Sequence, residues 1–364
     1  MITASLAPTS TPERIVVELD TDHEGRRDLW WEVTSGPAPP VPQQLEAVAI
    51  ALVARAMSYR QDLHVAGPVS ATLLANLAEF VDAWCAWRPD LFGPVAISAD
   101  DEVDDLGAPR PLAHRAVAAF SGGLDSTWTL AAHRRGLLGH RSRTVVGAVL
   151  VQGFDVGLGE HEAFERARAS AAAITGELGV PLTAVRTNWK EVAATDWEMT
   201  FGTATAAILH LFADRAGTAI MAADNSYARL TLPWGSNPIT SPLLTSGRMA
   251  LTWSGAGRTR TDKARLVAEL PAARRHLRVC WQGPDHGGNC GRCEKCVRTK
   301  LNLLTAGVGE FEALAPLAPG QVEALDISAD HVQVYYRDLL AEGLPEPHAS
   351  TIAALLDAAG VGDP

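Results

Sequence analysis

The chain has 364 residues, 47% hydrophobic and 20% charged, a composition that supports a soluble globular protein with room for two domains. Its formal net charge of −11 argues against a nucleic-acid partner, which calls for a basic face, and no uninterrupted apolar stretch approaches the length of a membrane span. The first residues, MITASLAPTSTPERI, lack the basic start and apolar core of a secretory signal, so a cytoplasmic location is expected, where reduced cysteines bind metal rather than pair.

In chain order, residues 15–19 and 29–33 read as short strands. Pro37, Pro39, Pro40 and Pro42 separate them from a helical apolar pattern at 45–57. A second helix, 71–86, carries Leu73, Leu74, Leu77 and Phe80 on one face, with Trp84 and Trp87 near its end. Trp30, Trp31, Trp84 and Trp87 are assigned to packing rather than to a ligand site. The acidic run at 98–105, SADDEVDD, followed by Gly107, Pro109 and Pro111, reads as a solvated linker closing an N-terminal α+β domain of residues 1–110.

The next element carries the chemistry. Residues 116–120 form an apolar run and 127–135 a helical pattern, and between them stand Ser121, Gly122, Gly123, Leu124, Asp125 and Ser126. Adjacent glycines let backbone N–H groups approach an anion with no side chain in the way. The following helix adds unpaired donors and the positive end of its dipole. Ser121 and Ser126 can donate to phosphate oxygens, and Asp125 makes sense as an indirect ligand for a phosphate-bound magnesium.

Strand and helix then alternate. A continuous apolar strand at 145–151 precedes a helical face marked by Phe164, Ala167, Ala171, Ile174 and Leu178, followed by strand 182–185, helix 201–213 and strand 218–222. This is the pattern of an α/β fold with a parallel sheet covered on both faces. Ligands of such sheets sit beyond the carboxyl ends of the strands, here 121–126, 152–155, 187–189 and 224–227. The segment 224–247 shows no sustained periodicity and mixes apolar and polar recognition groups. It reads as an acceptor-substrate loop in which Asp224, Asn225, Tyr227 and Arg229 are candidates, with a lid or an oligomer contact such as a homodimer as alternatives. Arg258, Arg260, Lys263 and Arg265 form a local basic patch or a solvated helix start.

Four of the five cysteines, Cys280, Cys290, Cys293 and Cys296, fall in CWQGPDHGGNCGRCEKC, with Gly291 in the tight turn. Four thiolates at this spacing can close a tetrahedral zinc shell of structural type, and an iron–sulfur cluster would use the same ligands. His276 and His286 read as solvated loop residues, and Cys85 as core. Arg298 and Lys300 are expected to cap the next helix or stay in solvent. Residues 301–364 read as a helical extension with apolar clusters at 314–317 and 352–356 that packs on the catalytic domain.

AFSGGLDST resembles the SGGxDS signature of the N-type ATP pyrophosphatases, the PP-loop superfamily, which cleave ATP between the α and β phosphates. The GxxxxGK[ST] loop is absent, which disfavours γ-phosphate chemistry of that class. Together with the four cysteines the loop is similar to that of the 7-cyano-7-deazaguanine synthases, over roughly residues 115–300; the present chain is longer at both ends. The resemblance implies a PP-loop (adenine nucleotide alpha hydrolase-like) domain at 111–300 ending in the zinc site, with a helical extension at 301–364. It implies ATP, Mg2+ and Zn2+, adenine held by Val151, Gln152, Gly153 and Phe154, and Lys263 approaching the ATP phosphates. The implied reaction is adenylation of a small-molecule carboxylate or carbonyl, then displacement of AMP by ammonia or an amine donor. A tRNA-modifying PP-loop enzyme and a non-catalytic nucleotide-binding sensor or scaffold are the alternatives.

Overall fold

The computed structural model describes residues 1–22, 24–193, 196–280 and 287–359, and its centre is a single ten-stranded sheet. Three strands form an antiparallel meander: β1 (Ile2–Leu6), β2 (Arg14–Thr21) and β3 (Gly25–Ser35). Then follow α1 (Glu46–Tyr59), β4 (Leu63–Ser70), α2 (Ala71–Trp87) and β5 (Ile97–Val103), with β4 parallel to β1 and β5 parallel to β4. This half keeps one face dry. Ile2, Ala4, Ile15, Val17, Leu19, Leu29, Trp31, Leu63 and Val65 pack in one core with α1 and α2, whereas Arg14, Glu18, Arg26 and Glu32 pair across β2 and β3 at exposed positions.

The second half winds in both directions from its first strand. β6 (Arg115–Ala119) leads through α3 (Leu124–Arg134) to β7 (Thr144–Gln152), and β7 through α4 (His161–Glu177) to β8 (Leu182–Thr187). The chain then crosses back through α5 (Trp189–Val192) and α6 (Trp197–His210) to β9 (Thr218–Ala222), on the other side of β6, and β10 (Ala250–Ser254) lies beyond it. All four pairings within this half are parallel. Alternation sorts its residues into two cores: Val117, Val149, Val185 and Ala219 face α1 and α6, while Ala116, Ala118, Ala148, Leu150 and Ile220 face α3 and α4.

The expected α/β class with a largely parallel sheet is therefore present, and each predicted strand and helix from 116 to 222 overlaps an observed one, although the helix expected at 201–213 ends at His210. The N-terminal part shares this sheet. β3 pairs antiparallel with β8, Asn188 extends the ladder through Trp30 N–H (2.9 Å) and the Asp28 carbonyl (2.8 Å), and α1 packs on α6. One correction follows: most of the acidic run is not a linker but edge strand β5, with Ile97 and Ala99 packed against the core and acids toward solvent. Charged side chains on an edge strand block edge-to-edge association, which explains a strand that composition disguises as a spacer.

The remaining helices are α7 (Arg260–Val267), α8 (Pro271–His276), α9 (Glu294–Thr305), α10 (Asp330–Ala341) and α11 (His348–Ala358). Val297 and Leu301 of α9 pack with Tyr336 and Leu339 of α10 and Ile352 and Leu356 of α11, forming a third core. The extension is thus helical at 330–341 and 348–358, whereas 314–317 lies in irregular chain between helices. Among the described residues no helix is long and apolar enough to cross a membrane.

Candidate functional site

β6 sits where the winding reverses, so the loops after β6 and β9 flank a crevice at the carboxyl end of the sheet. The SGGLDS loop fills the first position. Gly122 has φ +75°, a left-handed conformation that glycine adopts without strain, and its carbonyl accepts from Arg278 N–H at 2.9 Å. Ser121 Oγ lies 3.3 Å from Ser126 Oγ and accepts from Gly123 N–H at 3.3 Å. Gly123 stands at the N-cap of α3 with no side-chain cap. The helix thus begins at an uncapped terminus with two hydroxyls beside it, the arrangement that receives an anion.

Asp125, in the first turn of α3, is the electrostatic centre. Its Oδ1 accepts from Lys263 Nζ at 2.8 Å and its Oδ2 pairs with Arg260. Burial acts to raise its pKa, but Arg260 and Lys263 outweigh that and hold it below the ordinary carboxylate value. The capping box of Thr259 and Asp262 starts α7 so that both cations reach back to α3. Lys263 is 1% exposed and also donates to the Ala223 carbonyl at the end of β9, at 2.6 Å. It is therefore a buried clamp between the start of α3 and the end of β9, so the solvated reading of the basic patch fails for Lys263 and Arg260, while Arg258 and Arg265 are exposed.

The other sequence candidates divide. Gln152 is buried and its amide donates to the Gly157 carbonyl at 3.0 Å; Val151 is partly buried. Gly153 has φ +101°, and a Cβ there would lie 2.1 Å from the Thr187 carbonyl oxygen. Gly153→Ala is accordingly expected to cost about 1–3 kcal/mol, seen as a lower urea midpoint; an unchanged midpoint would show that Thr187 moves aside freely. The Phe154 ring is engaged by Trp197, with centroids 5.0 Å apart.

The 224–247 segment is held by its own side chains together with Ser70, Asn76, Arg110 and Trp253. Asn237 donates to the Trp234 carbonyl and Thr240 Oγ1, both at 2.8 Å, and Trp234 Nε1 donates to Asp224 Oδ2 at 2.7 Å. Short 3-10 turns at Tyr227–Arg229 and Ser241–Leu244 fall within it. Tyr227 is exposed and meets Trp253 edge-on, and Arg229 pairs with Asp338 of α10 at 2.9 Å.

Beside this segment a partly open cleft is walled by Asp224, Asn225, Arg260 and Lys263 and, across from them, Asn302, Tyr335 and Asp338. Asn302, Tyr335 and Asp338 escape sequence reading because helices α9 and α10 carry no motif at these positions. Arg298 and Lys300 also depart from expectation: both are buried, Arg298 paired with Glu294 at 2.7 Å and stacked 3.8 Å over Tyr335, and Lys300 donating to the Gly309 carbonyl at 2.9 Å.

The four cysteines converge. Their sulfurs all lie within 4.8 Å of one another, with Cys280 and Cys293 3.6 Å apart. Zn–S bonds of about 2.3 Å in a tetrahedron place sulfurs about 3.8 Å apart, so the group fits a metal such as zinc. Gly291, at φ +74°, makes the tight turn between Cys290 and Cys293, and Cys293 caps α9. Hydrogen bonding from Cys296 draws the Cys293 thiol down to about 5, while burial pushes Cys280 up to about 11. Asn289 braces the group, accepting from Val279 N–H at 2.9 Å and donating to the Leu277 and Ala313 carbonyls at 2.7 Å. His276 ends α8 and does not join the cluster, His286 lies outside the described residues, and Cys85 is partly buried on α2.

Arg278 joins this centre to the phosphate-loop candidate through Gly122, and α9 carries Asn302 to the cleft and Arg298 to a stack on its Tyr335. Comparison with protein-family models, curated proteins and solved structures finds no match to this chain.

Proposed function

We propose that the protein is a PP-loop ATP-dependent ligase that adenylates a small-molecule carboxylate or carbonyl oxygen and then joins it to ammonia or an amine. The observation that carries this reading is the SGGLDS loop at the winding reversal of a parallel sheet, with Lys263 and Arg260 converging on its Asp125. Loop N–H groups and the hydroxyls of Ser121 and Ser126 would bind the β and γ phosphates. An acceptor oxygen attacks the α-phosphorus in line, the bond to the β-phosphate bridging oxygen breaks, and pyrophosphate stays in the loop. Lys263 would face the charge that grows on the leaving group, and a fixed cation in a water-poor site stabilises it without reorganising. Magnesium would neutralise phosphate charge, and ionised Asp125 is the residue to orient its water shell, with Arg260 turning from the carboxylate toward phosphate. Val151 to Phe154 at the end of β7 would hold the adenine.

The zinc knuckle has a structural role in this scheme, since four sulfurs leave no open coordination position. The cytoplasm suits its reduced thiols. Incubation with ATP, magnesium, ammonia and a panel of small carboxylates including 7-carboxy-7-deazaguanine is expected to release AMP and pyrophosphate, and labelled pyrophosphate should exchange into ATP when the right acid is present. ADP as product would remove the α-phosphate mechanism. ATP binding with no exchange on any acceptor would favour a nucleotide sensor.

A further inference from the structure

The cleft beside Asp224 has walls of unequal chemistry. Its cations are largely engaged: Lys263 and Arg260 with Asp125, and Arg229 with Asp338. Arg258 stands at the exposed edge. Among the side-chain atoms of the walls, three acceptors are buried without a donor: Asp224 Oδ1, Asn225 Oδ1 and Asn302 Oδ1. Asn225 and Asn302 are only 5% and 3% exposed. Glu342 of α10's C-cap adds a carboxylate to the same cleft. Ser226 and Thr261 contribute buried hydroxyls, which turn to suit either kind of partner. The buried Arg260 Nε, a donor without an acceptor, belongs to the Asp125 side.

Unsatisfied acceptors on facing walls call for a ligand group composed of donors. A primary ammonium offers three N–H donors and no acceptor, and its charge complements Asp224 and Glu342. Tyr335 and Leu339 of a separate helix add a largely carbon-lined wall to the cleft, which ammonia would not use and an organic amine would.

We propose that this cleft binds an organic primary amine as the nucleophile of the second half-reaction, its ammonium held by Asp224, Asn225 and Asn302 and its carbon chain directed along Tyr335 and Leu339 of α10. The inference rests on the ligase reading above. One ammonium proton passes to Asp224, whose proton affinity burial raises, with the negative charge of Asp125 adding to it. The freed nitrogen lone pair attacks the acyl carbon of the adenylate, the C–N bond forms, and the C–O bond breaks with its electron pair leaving on AMP. The nitrogen sheds its second proton to solvent, giving a neutral amide; no oxidant or reductant takes part.

Calorimetric titration of the full-length, zinc-loaded protein with butylamine, putrescine and agmatine, against 1-butanol and 1,4-butanediol, tests this directly. Amines are expected to bind about tenfold more tightly than alcohols of equal length, in line with a charged hydrogen-bonded site. The preference should vanish in Asn302→Leu and persist in Asn302→Asp. Equal binding of amine and alcohol by the wild-type protein, or no amine binding at millimolar concentration, overturns the proposal whether or not a variant folds. ATP binding is followed in parallel with a fluorescent analogue. ATP binding without amine preference removes the amine alone, whereas amine preference without ATP binding removes the ligase reading and leaves an amine site.

Discussion

Lys263→Met is expected to lower stability by about 3–5 kcal/mol, the range found when one partner of a buried ion pair is removed, and to reduce ATP turnover by about 10²–10³. Two separate losses add here. The folded protein loses the bonds from Nζ to Asp125 and to the Ala223 carbonyl, leaving Asp125 with Arg260 as its neighbouring cation and Ala223 without its donor. Under the proposed ligase reading, catalysis would lose a cation fixed beside the SGGLDS loop. Methionine keeps the volume, so the change reports charge rather than a cavity. Chemical unfolding measures the first loss and pyrophosphate release the second. The double variant Asp125→Asn with Lys263→Met separates them: it should recover part of the stability, because neither buried charge is then abandoned, while remaining inactive. A cost below about 1 kcal/mol for Lys263→Met, the scale of an exposed ion pair, would mean that the clamp is not what holds α3 to β9.

Removal of the zinc proposed for the four cysteines should have a still larger effect. Purified protein is expected to contain one zinc per chain, and Cys293→Ser or strong chelation should remove it. Structural zinc contributes apparent free energies of about 10–16 kcal/mol in small peptides at neutral pH, comparable to a typical domain's total stability of about 5–15 kcal/mol. The segment that depends on it reaches far. Cys293 starts α9, Gln321 of the extension donates to the Gly291 carbonyl at 2.6 Å, and Arg278 holds Gly122 of the loop. Chelation should therefore expose the 290–305 region to proteolysis and abolish ATP binding together. Protein that carries no metal and responds to neither treatment would reduce the cluster to four packed thiols.

What the sequence disclosed, and what it hid, follows from the range of the interactions. SGGLDS and the clustered cysteines were legible because a tight glycine turn and a compact group of thiols are built from near neighbours. Strands β6 to β9 were legible because burial on both faces removes polar residues from them. β4 was missed because LHVAGPVS contains Gly67 and Pro68, residues that usually end strands. β5 was hidden by its own edge protection. The burial of Arg298 and Lys300 could not be read locally either: Arg298 is covered by α10, and the Gly309 carbonyl that receives Lys300 lies beyond the end of α9. The same distance concealed Tyr335 and Asp338, polar positions on a helix that sequence alone assigns to solvent.

The seam between β3 and β8 also imposes a schedule on assembly. The bond from Trp30 N–H to Asn188 Oδ1 joins positions 158 residues apart, so the ribosome releases the meander long before the strand that covers its open edge. At roughly 5–20 residues per second that interval lasts on the order of ten seconds. During it β3 is an unpaired edge, and contacts of such long range form late and slowly. Newly made chains should thus pass through a window in which the N-terminal half is compact but adhesive, and recovery of the protein in cells depends on what occupies that edge until residue 187 emerges.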